Sequence, residues 1–127
     1  MSEMRTPLKR VRGLGSAKDG TENFWRVRLT SVALVPLALF VVGWVFSLRG
    51  AGLAEVRASL AQPLTALAVA LFIVISLDHM HRGMKDIIED YAHEEGRKLT
   101  LMMLNTFFVV AVGAASLFAL VKMAFGG

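Results

Sequence analysis

The chain has 127 residues, 55% of them hydrophobic, no cysteine and a formal net charge of +4 at pH 7, with a mean hydropathy of +0.57. The missing thiol excludes disulfides, thiolate metal sites and any iron–sulfur cluster held by this chain alone. Three runs free of Asp, Glu, Lys and Arg, at 29–48, 58–77 and 99–121, each match the roughly 20 residues that cross a bilayer core as a helix, which leaves no room for a soluble catalytic domain.

No water reaches the bilayer core to satisfy backbone groups, so helices are the practical spanning form for so short a chain. The sequence therefore predicts an all-α membrane protein. Residues 1–28 form an N-terminal cytoplasmic arm, and 29–127 form an anchor domain with spans near 29–48, 60–85 and 99–121. The first run is too long for a signal-peptide core and is read as a retained anchor. The arm holds seven of the Lys and Arg residues, the first loop two, the second loop four and the C-terminal end one. The positive-inside rule then places the N-terminus and second loop in the cytoplasm and the C-terminus outside. The net positive charge concerns topology and anionic lipid rather than nucleic acid.

In chain order, Pro7, Gly13, Gly15 and Gly20 argue for an extended start. Phe24 and Trp25 mark the interface, with Arg26 and Arg28 following. Both arginines read as snorkelling cations, and Arg28, nearer the apolar run, can also reach an anionic group inside an assembly. Pro36 can kink the first span and Gly43 allows close approach of a neighbour.

The second span runs into SLDHMHRGMKDIIEDYAHEE, residues 76–95. Three histidines among acids and bases at the end of a span are expensive in hydrocarbon, and such residues are usually functional. On a helix from about Pro63 to Tyr91, His79, Gly83, Asp86 and Asp90 fall in one stripe. A flat macrocycle ligated by a histidine lies hard against that histidine's helix, and Gly83 one turn away removes a side chain that would clash. From the residues alone, His79 reads first as a buried histidine hydrogen-bonded to a neighbouring helix.

His81 points about 200° from His79, so a bis-histidine haem needs its second ligand from another chain. Asp78 and Arg82, four apart, suit an intrahelical ion pair. Glu94, Glu95, Arg97 and Lys98 suit a solvated turn closing the helix at Gly96. Tyr91, the single tyrosine, is either an interface anchor or a donor to a ketone oxygen with Asp90 beside it. In the third span Asn105 and Thr106 offer interhelical hydrogen bonds, and 113–116 (Gly, Ala, Ala, Ser) form a small-residue patch. Together these suggest a bundle larger than three helices.

The string His79-Met80-His81-Arg82-Gly83, followed after a spacer by Asp90-Tyr91-Ala92-His93, resembles the HxHxG and DYxH pattern of the small hydrophobic membrane anchor of succinate dehydrogenase, respiratory complex II. Gly20, Phe24, Val27, Arg28 and Thr30 resemble that family's approach to its first helix, and the three-span profile is similar along nearly the whole chain.

The resemblance implies that His79 is one axial ligand of a haem b shared with a companion cytochrome b anchor. It implies that Tyr91 hydrogen-bonds ubiquinone with Asp90 as its neighbour, and that Arg28 lies by the haem propionates and the quinone pocket. Some members carry a histidine before the first helix where this chain has Glu22, so a propionate contact there passes to Arg26 or to the companion anchor. The implied partners are that companion, the iron–sulfur subunit, the flavoprotein subunit and membrane lipid. The implied place is the bacterial inner membrane, in the tricarboxylic acid cycle and respiratory electron transport. Succinate chemistry then occurs on other subunits, and the chain alone is not an enzyme. A fumarate reductase anchor and a non-redox structural or assembly membrane protein stand as the alternatives.

Overall fold

The computed structural model describes residues 6–8 and 19–126, and every regular element among them is helical. Helix α1 spans Asp19–Ser47, α2 Leu53–Leu60, α3 Pro63–Tyr91 and α4 Glu95–Ala124. The three long helices have 29, 29 and 30 residues, about 44 Å each at 1.5 Å per residue. That exceeds a hydrocarbon core of about 30 Å, so each projects beyond it.

Helix α1 starts ahead of the apolar run and takes in Gly20 and the last third of the arm. Glu22 near its beginning favours this start, because a carboxylate offsets the positive end of the helix dipole. Gly13 and Gly15 lie outside the described residues. The helix passes through Pro36 without ending and stops at a turn in which Gly50 takes φ +77°, a conformation that glycine adopts without strain.

Helix α2 has no counterpart among the expected elements. The Glu55 carboxylate accepts the Gly52 backbone N–H at 3.0 Å, closing its first turn. Trp44 Nε1 donates to Ser59 Oγ at 2.7 Å, and buried Leu60 fixes the far end. Pro63 then opens α3, as expected of a helix from about Pro63.

At the other end α3 runs to Tyr91, as the stripe requires. The expected stop at Gly96 is corrected: the chain breaks at 92–94, and Gly96 sits in the first turn of α4. Glu94 and Glu95 cause this, since acids at this point favour a helix start over a helix end. The Lys98 N–H donates to the Glu94 carbonyl at 2.9 Å.

Helix α3 is the middle of a row. It packs on α1 and on α4, whereas α1 and α4 do not meet among the described residues. Buried side chains are few there, namely Leu60, Thr65, Ile88, Asn105 and Leu120. Lipid tails are as apolar as leucine, so close fit and polar bonds hold such helices together. Gly113 provides the fit, because a Cβ there would come within 3.1 Å of Leu77 Cδ1. Arg82 clasps α1, with Nη1 donating to Asn23 Oδ1 at 3.1 Å and Nε to Asp78 Oδ2 at 3.1 Å. Asn105 Nδ2 donates to the His81 carbonyl at 3.1 Å on the α4 side. The expected Asp78–Arg82 pair and the interhelical role of Asn105 are both present.

Candidate functional site

His79 lies sixteen residues into α3, about 24 Å along its axis, well inside the span. It is half-buried against α1, where its Nδ1 lies 2.9 Å from Thr30 Oγ1. One turn on, a Cβ added to Gly83 would meet nothing within 4 Å. No part of the described chain therefore lies against α3 at Gly83, as a flat ligand held one turn away requires.

Further along the same stripe, Asp86 and Arg28 line an open groove of about 350 Å³ with Asn23, Phe24 and Val27. The Arg28 guanidinium carbon sits 4.4 Å from the Phe24 ring centroid, a cation–π arrangement that holds the charge at the groove's edge. Arg26 is engaged elsewhere, with Nη2 3.3 Å from Glu22 Oε1, so the Glu22 carboxylate is balanced within the helix.

His81 faces the other way. Its Nε2 lies 3.2 Å from Thr106 Oγ1 on α4. The two histidines therefore serve different helices, in keeping with their opposed directions on α3. His93 is exposed just beyond the end of α3.

Asp90 and Tyr91 stand at the last turn of α3. Tyr91 is 79% exposed and borders a second open groove, of about 470 Å³, whose walls include Ile88, Arg97, Asn105 and Phe108. Twelve residues at 100° each turn it about 120° from His79. The chain does not bring Arg28 and Tyr91 into one pocket, because they line grooves on different sides of α3. Sequence reasoning missed Asn23, Arg97 and the partner role of Thr30. Thr30 was visible only as a hydroxyl at the start of an apolar run and as one of the residues resembling the family's approach to its first helix.

Comparison with known proteins decides what frame this geometry belongs to. The family described as succinate dehydrogenase/fumarate reductase transmembrane subunit matches residues 2–114. The chain belongs to that family. The succinate dehydrogenase hydrophobic membrane anchor subunit of Paracoccus denitrificans is 35% identical over 126 residues, covering 95% of this chain and 93% of the relative. The subunits of the same name from Rickettsia bellii and Rickettsia conorii are 23% and 24% identical, over 85% and 93% of this chain and 86% and 94% of theirs. The chain is thus a multi-pass membrane anchor with three apolar spans, and an anchor of this family works in complex with other subunits. The open row of helices suits that dependence, since both outer helices keep a face that no part of the described chain covers.

Proposed function

We propose that the chain anchors a succinate:ubiquinone oxidoreductase in the bacterial inner membrane, that His79 is one axial ligand of a b-type haem shared with a companion anchor, and that Tyr91 with Asp90 forms one wall of the ubiquinone reduction site. The observation that carries the reading is His79 itself: a half-buried imidazole deep in a span, held at one ring nitrogen by Thr30 and flanked one turn away by the open space at Gly83. Arg28, at the edge of the groove that continues the stripe, supplies a cation suited to haem propionates.

Bound haem would supply a one-electron store beside the two-electron quinone reaction. This chain's residues bind and orient. Ubiquinone, as substrate, takes two electrons delivered through the iron–sulfur subunit and two protons to become ubiquinol. The Tyr91 phenol donates a hydrogen bond to a quinone oxygen, and Asp90 beside it orients that phenol and passes protons from the cytoplasmic side. The names of the relatives favour the dehydrogenase direction over fumarate reduction.

Affinity purification in mild detergent tests the assembly. A tagged chain is expected to bring a flavoprotein, an iron–sulfur protein and a second small membrane protein, together with a reduced-minus-oxidised b-type α-band. A complex without that band would refute the haem assignment. Orientation is tested separately. A reporter fused after Gly127 that works only outside the cytoplasm is expected to be active, as the Lys and Arg asymmetry requires. A cytoplasm-only reporter active at the same point would overturn the placement of Tyr91.

A further inference from the structure

Thr30 Oγ1 makes three close approaches: 2.8 Å to the Arg26 carbonyl oxygen, 3.0 Å to the Val27 carbonyl oxygen and 2.9 Å to His79 Nδ1. A carbonyl oxygen has no hydrogen to give, so a Thr30 hydroxyl hydrogen donated to either carbonyl of α1 leaves an Oγ1 lone pair facing His79. In that arrangement Nδ1 carries the proton that fills the 2.9 Å gap, and a neutral imidazole protonated at Nδ1 has a bare Nε2.

His81 meets the mirror arrangement. Thr106 Oγ1 donates to the Met102 carbonyl at 3.1 Å and lies 3.2 Å from His81 Nε2, so the proton is drawn to Nε2 there. Two threonines on the flanking helices thus approach opposite ring nitrogens of histidines two residues apart. At His79 this leaves Nε2 clear of Thr30, while at His81 that nitrogen faces Thr106 of α4.

We infer that Thr30 is a positioning residue for the haem ligand: its hydroxyl fixes the tautomer and ring plane of His79 and, by accepting the Nδ1–H, makes the ligand more electron-donating. This rests on the assignment of His79 as a haem ligand. Outer partners of metal-bound histidines act in this way, and losing one typically costs about 10- to 100-fold in metal affinity. Hydrogen bonding behind an axial ligand is also one of the protein's levers on haem potential. Extra electron density on Nε2 favours the oxidised iron, so removing the acceptor raises the midpoint potential. For a one-electron couple each tenfold change in relative affinity for the two oxidation states is about 59 mV.

The test uses the whole complex purified from membranes, with redox titration of the haem α-band and low-temperature electron paramagnetic resonance. Thr30→Val keeps the shape and deletes the acceptor. It is expected to raise the midpoint and alter the low-spin signal, and Thr30→Ser, which restores the hydroxyl, is expected to return both to the parent values. A fully loaded Thr30→Val complex with the parent midpoint and signal overturns the inference. Where Thr30→Val does not assemble, Thr30→Cys serves in its place, because sulfur accepts weakly, and an unchanged midpoint in that variant overturns the inference equally. His79→Leu separates the two ideas. A parent spectrum in His79→Leu retires the haem reading itself, whereas a lost spectrum there beside an unchanged Thr30→Val retires only the role of Thr30.

Discussion

Replacing His79 by leucine is expected to abolish the low-spin b-type spectrum of the assembled complex, while replacing His81 is expected to leave it in place. The difference follows from direction and occupancy. His79 sits on the stripe with Gly83, with nothing within 4 Å of the position a Cβ would take there, and Thr30 holds the ring from behind. His81 is turned towards α4, and Thr106 engages the nitrogen a metal would need. On the proposed function, losing His79 would remove one of two axial ligands, and no other histidine on that face of α3 would replace it. Losing His81 removes one interhelical hydrogen bond, worth about 0.6 kcal/mol on average in membrane proteins, which is a matter of stability and not of spectrum.

Gly83 sharpens the same test. Exchanging it for alanine meets no steric obstacle inside this chain, and in a helix interior alanine is favoured by about 0.5–1 kcal/mol. A spectral change in Gly83→Ala would therefore report on something that lies against α3 from outside. A His81 variant that loses the b-type spectrum while His79→Leu keeps it would refute the helix-face argument. Ubiquinone reduction is expected to survive the loss of His79, because the proposed function has electrons reaching the quinone through the iron–sulfur subunit.

The three spans were legible because charge-free runs of bilayer length have few alternatives in so short a chain. The opposed faces of His79 and His81 were legible too, since 3.6 residues per turn fixes them once α3 is known to run unbroken. Helix α2 was not. Its eight residues are too few for a periodic signal, and it is held by the Trp44–Ser59 bond and the burial of Leu60, contacts that only the folded chain creates. Gly96 misled for a related reason: a glycine among charges marks a boundary, but acids beside it can open the next helix as readily as basic residues close the last. The partnership of Thr30 with His79 links positions 49 residues apart and leaves no trace in local spacing. Neither does the separation of Arg28 and Tyr91 into two grooves, which depends on how α1 and α4 flank α3. Family likeness names both residues for one neighbourhood, and this chain alone places them on different sides of one helix.

That separation makes Tyr91 the more direct test of quinone chemistry. Tyr91→Phe is expected to lower succinate-to-ubiquinone activity sharply while leaving succinate oxidation by an artificial acceptor intact. The phenol stands at the end of α3, 79% exposed and bordering the larger groove, and it makes no hydrogen bond among the described residues. Its donor is therefore free for a ligand. As quinone is reduced, negative charge grows on the carbonyl oxygen, and a positioned donor gains strength as that charge develops, which lowers the barrier as well as the dissociation constant. Deleting one such donor costs about 2.7–4 kcal/mol in well-studied oxyanion sites, a factor of about 10² to 10³ in rate. Phenylalanine keeps the ring and its preference for the membrane interface, so a residue that serves only as an anchor would show little change. The bypass acceptor confirms that the flavoprotein and iron–sulfur subunits remain docked, and the b-type spectrum confirms that α3 is in place. Near-normal ubiquinone reduction by a Tyr91→Phe complex that passes both controls would remove this residue from the quinone site and leave the groove beside it to lipid or to a neighbouring protein of the complex.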